Sequence, residues 1–249
     1  MNYTTKNIFL LFSIGLNVLF LSVAIFFVAR KGGISYVQSK ISNIGKKSTE
    51  KDWYINSYYK HKKSQFEILP KSNDSIIFLG DSLTDQGEWA ELLGNPLIKN
   101  RGISGDTTVR ILNRLDTIIQ TKPKQIFLMV GINDLVNEKK SIGQLLERYK
   151  TILQQLKNNT PDTKIVIQSV LPVNNNLTLF WQKNENVINL NQNLEELAKQ
   201  FNYEYIDLFS RFVDSENQLD IKYTTDGLHL NGKAYLIWKE AVEKYVAVN

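Results

Sequence analysis

Cysteine is missing from this chain, and histidine occurs only twice, as His61 and His229. Without cysteine there is no disulfide scaffold, no thiolate-bound zinc or iron–sulfur cluster and no thiol nucleophile. Two histidines all but exclude a multi-histidine metal site, and they leave two candidates for any imidazole-dependent catalysis. The chain has no GxxxxGK[ST] phosphate loop, no GxGxxG after a strand and no zinc-type ligand spacing, so nucleotide and structural-zinc chemistry lose their usual markers. Its 249 residues allow one large domain or two small ones at roughly 150 residues per domain.

The formal charge is +5, a balance that invites nucleic acid or an anionic membrane as partner. Its distribution decides between them. Residues 1–72 carry 11 basic and 3 acidic side chains, whereas residues 73–249 carry 19 basic and 22 acidic ones. The basic excess therefore flanks an apolar N-terminal run, where anionic lipid is the natural partner. The remainder is mildly acidic, which argues against nucleic acid.

That apolar run spans residues 8–29, 22 positions without a charge, with Lys6 before it and Arg30 and Lys31 after it. As a helix it rises roughly 33 Å at about 1.5 Å per residue, enough for a hydrocarbon core of roughly 30 Å. A cleaved signal has a shorter apolar region of about 7–15 residues and a small-x-small site. Ala24 and Ala29 are present but make no convincing cleavage pattern before Arg30, so an uncleaved single-pass anchor is expected. Lys40, Lys46 and Lys47 also follow the span, and the positive-inside rule would keep the body cytoplasmic. An N-terminal anchor ahead of a long polar domain resembles an export signal instead, and an extracytoplasmic body is the expectation adopted. The chain divides into an anchor over 1–30, a basic linker and packing helix over 31–73, and a main domain over 74–249. Within the middle segment Trp53, Tyr54, Tyr58, Tyr59, Phe66 and Leu69 suit a helix that Pro70 ends.

From residue 75 short apolar runs alternate with helical periods. Residues 75–79, 126–130, 164–170 and 203–207 are strand candidates, and 96–99 is a weaker one. Val109, Leu112, Leu115 and Ile119 share one helix face, as do Ile142, Leu145, Tyr149, Ile152, Leu153 and Leu156. Val187, Leu190, Leu194 and Leu197 mark another helix, and 234–246 a closing one. This alternation predicts an α/β domain with a parallel sheet covered by helices on both faces. In such domains sites form at the carboxyl ends of the strands.

Four stretches fall at those ends or before the last helix. Gly80-Asp81-Ser82-Leu83 follows the first strand and puts a hydroxyl on a strand-to-helix turn. Taken alone it also suits a plain helix cap. Residues 100–107 carry Gly102 and Gly105 in a polar loop, where the Gly105 N–H is free to face an oxyanion. Gly131-Ile132-Asn133-Asp134 follows the third strand and offers an uncharged amide donor, or a turn residue. Asp226-Gly227-Leu228-His229 places a carboxylate three residues before an imidazole, a spacing that can set the tautomer. His61 lies in the lysine-rich segment before the domain, which leaves His229 as the base candidate. Asp134 reads as a loop-stabilising carboxylate, Asp81 as a partner of neighbouring loops and Arg101 as half of a surface ion pair. Leu179, Phe180 and Trp181 suit either an acyl pocket or the docking of their loop.

In order and content these four blocks resemble the SGNH (GDSL) family of serine esterases and lipases, over roughly residues 74–246. The GxND and GxxGDT forms look most like its platelet-activating-factor acetylhydrolase-like, bacterial lysophospholipase-like and sugar O-acetyl esterase branches. The resemblance implies a flavodoxin-like three-layer α/β/α sandwich and neither metal nor organic cofactor. It implies a nucleophile at Ser82, a triad completed by Asp226 and His229, and an oxyanion hole formed by the Ser82 and Gly105 N–H groups with the Asn133 amide. A membrane-tethered esterase acting on acyl lipid or O-acetylated glycan is then expected. A non-catalytic binding protein on the same fold, or an acyltransferase using the same triad, is the alternative.

Overall fold

In the computed structural model, which describes residues 3–30, 50–138, 140–177 and 182–246, the apolar runs become five parallel strands. These are β1 (Ile76–Gly80), β2 (Ile98–Gly102), β3 (Gln125–Met129), β4 (Lys164–Gln168) and β5 (Glu204–Ile206), in the order β2-β1-β3-β4-β5. β1 pairs with β2 from Ile76↔Ile98 and with β3 from Ile76↔Gln125, and β3 pairs with β4 from Gln125↔Lys164. Every residue of β1 and β3 is buried, because helices cover both faces. That is why these strands read as continuous apolar runs rather than as alternating ones. Edge strand β2 is only half-buried at Lys99, Asn100 and Arg101, and its polar composition follows.

The intervening helices are α2 (Glu50–Ile68), α3 (Ser82–Asp85), α4 (Trp89–Leu92), α5 (Thr108–Leu112), α6 (Leu115–Ile119), α7 (Ile132–Val136), α8 (Ile142–Asn159), α9 (Asn184–Phe201), α10 (Phe209–Phe212) and α11 (Gly232–Val242); α1 (Tyr3–Arg30) precedes them. Strand alternation sends Ile77, Leu79, Ile126 and Leu128 into a core closed by α5, α6, α8 and α9. It sends Ile76, Phe78, Phe127 and Met129 into a second core closed by α3, α4, α10 and α11. In the second core Phe78 stacks on Trp89 at 4.4 Å and on Phe127 at 4.6 Å, and Trp238 meets Trp89 edge-on at 4.8 Å. The result is a three-layer α/β sandwich around a parallel sheet, with all carboxyl strand ends on one side.

Several boundaries differ from the sequence expectation, three of them in the helices and the edge strand. The strand expected over 96–99 begins at Ile98, because Pro96 lacks an N–H and Ile98 N closes a turn onto the Asn95 carbonyl at 3.1 Å. The single helix expected through 109–119 is two, α5 and α6. Between them Asn113 and Arg114 leave the helix, and the Arg114 side chain turns into the interior to meet Asp106 at 2.8 Å. The closing helix ends at Val242 and tightens into a 3₁₀ turn over Glu243–Tyr245.

The chain clusters into two compact units, Met1–Trp53 and Tyr54–Asn249. In the first, the stretch Phe12–Arg30 of α1 is long and apolar enough to cross a membrane, and none of its described residues is buried. A signal sequence has the same properties. The expected linker residues 31–49 and the loop side chains Leu179, Phe180 and Trp181 lie outside the described residues.

Candidate active site

β1 delivers its last residue, Gly80, into a space that only a hydrogen can share. A Cβ there would collide with Thr84 Oγ1 and the Met129 carbonyl. The chain turns at once into α3, with Asp81 as its cap. The Asp81 carboxylate accepts from Leu83 N at 3.1 Å, while its backbone carbonyl accepts from Asp85 N at 2.8 Å. Ser82 is the first residue of the turn, so its N–H has no intrahelical acceptor. Its side chain sits at the carboxyl end of the sheet with 7% of the residue exposed.

The Ser82 hydroxyl lies 3.1 Å from His229 Nε2, and His229 Nδ1 lies 2.7 Å from Asp226 Oδ2. A carboxylate only accepts, so Nδ1 carries the proton and Nε2 presents its lone pair to the hydroxyl. Asp226 Oδ1 accepts in turn from His229 N at 2.8 Å and Leu228 N at 3.0 Å. Burial raises the Asp226 carboxyl, but the hydrogen bonds from the His229 ring and from these backbone groups outweigh it and hold the carboxyl below its ordinary value. The loop itself is pinched by an antiparallel bridge between Thr224 and Leu230. Gly227 makes its bend at a φ of 79°, a conformation open to glycine at little cost. Asn231 caps α11 through Ala234 N at 3.2 Å.

Gly105 and Asn133 follow β2 and β3, the two strands that pair with β1 on either side. Residues 103–106 form a turn closed by Asp106 N on the Ile103 carbonyl at 3.0 Å, and Ile103 N is tied to the Gly80 carbonyl at 3.1 Å. Gly105 is the second central residue of that turn, with φ 83°, the left-handed value that a type II turn requires there. Asn133 follows β3 on the first turn of α7. One hydrogen of its amide goes to the Asp106 carbonyl at 2.9 Å. Its Oδ1 accepts from Asn137 Nδ2 at 2.9 Å, which fixes the orientation of the amide and leaves one N–H to give. The arrangement combines a hydroxyl, an imidazole oriented by a carboxylate, and uncharged donors.

The surroundings are heavily anchored. Asp134 accepts from Thr108 N at 2.9 Å and from the Thr108 hydroxyl, as expected of a loop-stabilising carboxylate. Arg101 is not half of a surface ion pair. Its guanidinium bonds the Asn100 carbonyl and lies 4.8 Å over the Phe66 ring of α2, because that helix covers the position a carboxylate would take. Burial pushes Asp81 up to about 7, with Asp106 and Asp134 adding to the effect against the Leu83 hydrogen bond. Sequence reasoning missed Asp85, Asn100, Arg114 and Asn137. Asn100 bonds the Thr84, Asp85 and Gly87 carbonyls within 3.0 Å, and the Arg114–Asp106 pair is fully buried. No spacing rule marks Asp85, Asn100 or Arg114, whose partners lie elsewhere in the chain, whereas Asn137 stands four residues after Asn133 and helical i, i+4 spacing is the signal that could have found it. Among the described residues no group of three or more His, Asp or Glu side chains is placed to hold a metal ion.

Known proteins resemble the domain that carries these residues. The model of the GDSL-like lipase/acylhydrolase family matches residues 78–237. Platelet-activating factor acetylhydrolase IB subunit alpha2 of Homo sapiens is 32% identical over 182 residues, covering 70% of this chain and 76% of its own. A solved structure from Streptococcus pneumonia, described as a platelet activating factor, has a TM-score of 0.70 at 28% identity and covers 78% of this chain and 95% of that one. An acetylxylan esterase from Geobacillus stearothermophilus shares the fold, with a TM-score of 0.59 at 18% identity over 72% of this chain and 97% of its own.

Proposed function

We propose, for a chain that belongs to the GDSL-like lipase/acylhydrolase family and is a carboxylic ester hydrolase, that Ser82 is the nucleophile and that His229 and Asp226 serve it as base and orienter. The observation that carries this reading is the continuous chain Ser82 Oγ–His229 Nε2 at 3.1 Å and His229 Nδ1–Asp226 Oδ2 at 2.7 Å. Ser82 Oγ attacks the ester carbonyl carbon while its proton passes to His229 Nε2. The carbonyl oxygen becomes an oxyanion that accepts from Ser82 N–H, Gly105 N–H and the remaining Asn133 amide hydrogen. The tetrahedral species collapses and expels the alcohol, which takes the proton from His229. Water then attacks the acyl-enzyme through the same base, releasing the acid and restoring the Ser82 hydroxyl. Asp226 stays ionised throughout and balances the imidazolium.

The ester is the acyl group of a lipid or the O-acetyl group of a glycan. The names of the relatives support both, and the half-buried, open setting of Ser104 and Gly105 suits an acyl group entering from the surface. Residues 8–29 act as a single-pass anchor with the catalytic body outside the cytoplasm. The all-round apolar, exposed surface of α1 supports the anchor.

One experiment tests these statements together. A membrane-impermeant fluorophosphonate is expected to label the full chain in intact cells. The labelled chain should sediment with membranes and be released only by detergent. Ser82→Ala is expected to go unlabelled and to lose at least about 10³-fold in ester hydrolysis while still folding. Full activity in folded Ser82→Ala would sink the nucleophile assignment. Labelled chain in the soluble fraction would sink the anchor, and labelling only after lysis would sink the orientation.

A further inference from the structure

The helix α2 lies outside the family-matched residues 78–237, yet it reaches the turn that carries Ser82. Its target is Asp85, the last residue of α3, whose side chain is 6% exposed. Four donors converge on that carboxylate. Lys62 Nζ approaches Oδ1 at 3.1 Å, and Oδ2 accepts from the Tyr58 hydroxyl at 2.8 Å, Ser104 N at 3.1 Å and the Ser104 hydroxyl at 2.7 Å. Two of the four come from α2 and two from the residue directly before Gly105.

We propose that α2 is a positioning element for the reaction, in which Tyr58 and Lys62 hold Asp85 and Asp85 holds Ser104, so that the Gly105 N–H is kept in place against Ser82. This rests on the reading that Gly105 donates to the oxyanion. The physical argument has three steps. Asp85 and Ser82 share one helical turn, so a bond from Asp85 to Ser104 is a crossbar between the nucleophile and the oxyanion loop. The N–H of Gly105 belongs to the central peptide of the 103–106 turn. That peptide points in opposite directions in type I and type II turns, and the anchored Ser104 is the corner about which it swings. A carboxylate with two oxygens and several open acceptor sites holds one orientation only when its other partners are also fixed. Tyr58 and Lys62 are those partners. Their helix is itself clamped, with Tyr59 Oη on the Arg110 carbonyl at 3.1 Å and Phe66 buried beneath the Arg101 guanidinium.

A structural clamp and a positioning device differ in what their loss changes. In the full chain, the double variant Tyr58→Phe with Lys62→Met is expected to lower kcat on a short p-nitrophenyl ester about tenfold, with KM within about twofold. Affinity for a trifluoromethyl ketone, which adds to Ser82 and leaves an oxyanion in the same hole, should fall by the same factor. Lys62→Arg alone should retain activity, because it keeps the charge on Asp85. Ser104→Ala removes the hydroxyl part of the crossbar and leaves the Ser104 N–H bond to Asp85. It weakens the link from the other side without touching α2, and its effect should be less than additive with that of Tyr58→Phe. An unchanged kcat and ketone affinity, with only a lower Tm, would overturn the proposal, as would full additivity of Ser104→Ala with Tyr58→Phe. Ser82→Ala run beside them separates the two readings. If Ser82→Ala stays active the catalytic assignment fails, whereas if it is dead and the α2 variants are fully active only the positioning role fails.

Discussion

The site is assembled from two halves that the fold treats differently. One half is borne by strand ends: Ser82 after β1, the Gly105 turn after β2 and Asn133 after β3. The other is borne by a surface loop, where the side chains of Asp226 and His229 are 50% and 29% exposed. The strand half is held by groups from other loops and strand ends, among them the buried Arg114–Asp106 pair and the half-buried Asn100 amide. The loop half is held almost wholly by its own neighbours, residues 224–231. The same residue type therefore titrates in opposite directions. Burial pushes Asp81 up to about 7, while local hydrogen bonds hold Asp226 below its ordinary value. Precision where charge develops needs rigid donors, and those are expensive to bury. The proposed base, His229, sits at the rim, where protons can exchange with solvent.

If this division is real, the largest effect falls on stability in the strand half. Arg114→Met leaves Asp106 as an unpaired buried charge and is expected to cost about 3–5 kcal/mol. Asp226→Ala should cost no more than about 1 kcal/mol, because its partners remain open to water. Urea unfolding of both variants measures the contrast, and equal losses would erase it. Next in size is a rate effect without a stability effect. Asn133→Ala is expected to lower kcat roughly 10²–10³-fold, since one fixed donor is lost to the oxyanion. An unchanged kcat in a folded variant would remove Asn133 from the site.

The smallest effect sharpens the contrast by pH. A carboxyl whose folded value is raised binds its proton more readily in the native state. Stability associated with Asp81 is therefore full below its unfolded value near 4 and declines as pH rises toward about 7. Asp226 has the opposite sign: its contribution is present above about 4 and is lost as pH falls through its depressed folded value. Asp81→Asn keeps an acceptor for Leu83 N and removes the buried charge. It is expected to raise Tm by about 2–4 °C at pH 8, equivalent to about 1 kcal/mol, and to change it little at pH 4. A gain of the same size at both values would show that Asp81 carries no charge to relieve.

The apolar runs of β1, β3 and β4 were legible because a strand buried on both faces has one composition, and the helix faces of α8 and α9 because their periodicity is regular. The break between α5 and α6 was not. Val109, Leu112, Leu115 and Ile119 do keep helical spacing, and only the demand of buried Asp106 for Arg114 interrupts it. Likewise the surface ion pair expected of Arg101 failed because Phe66, far back in the chain, covers that position. The candidate site residues were visible as short blocks beside strand ends. Their supports Asp85 and Asn100 were not, because each is an ordinary polar residue until its partner arrives, while Asn137 stood at helical spacing from Asn133 and was legible in principle.

By itself, the sequence determined the composition-level facts: no thiol chemistry, one base candidate in His229, a basic N-terminal region ahead of a mildly acidic domain, and four polar blocks at predictable turns. These follow from local properties, which a chain carries wherever it goes. The tertiary structure alone decided which blocks meet, at 3.1 Å and 2.7 Å along Ser82, His229 and Asp226, and that a helix outside the family-matched residues grips Asp85. Hydrogen bonds between residues as far apart as Ser82 and His229 depend on strand order and register, and those are set by burying both faces of one sheet at once.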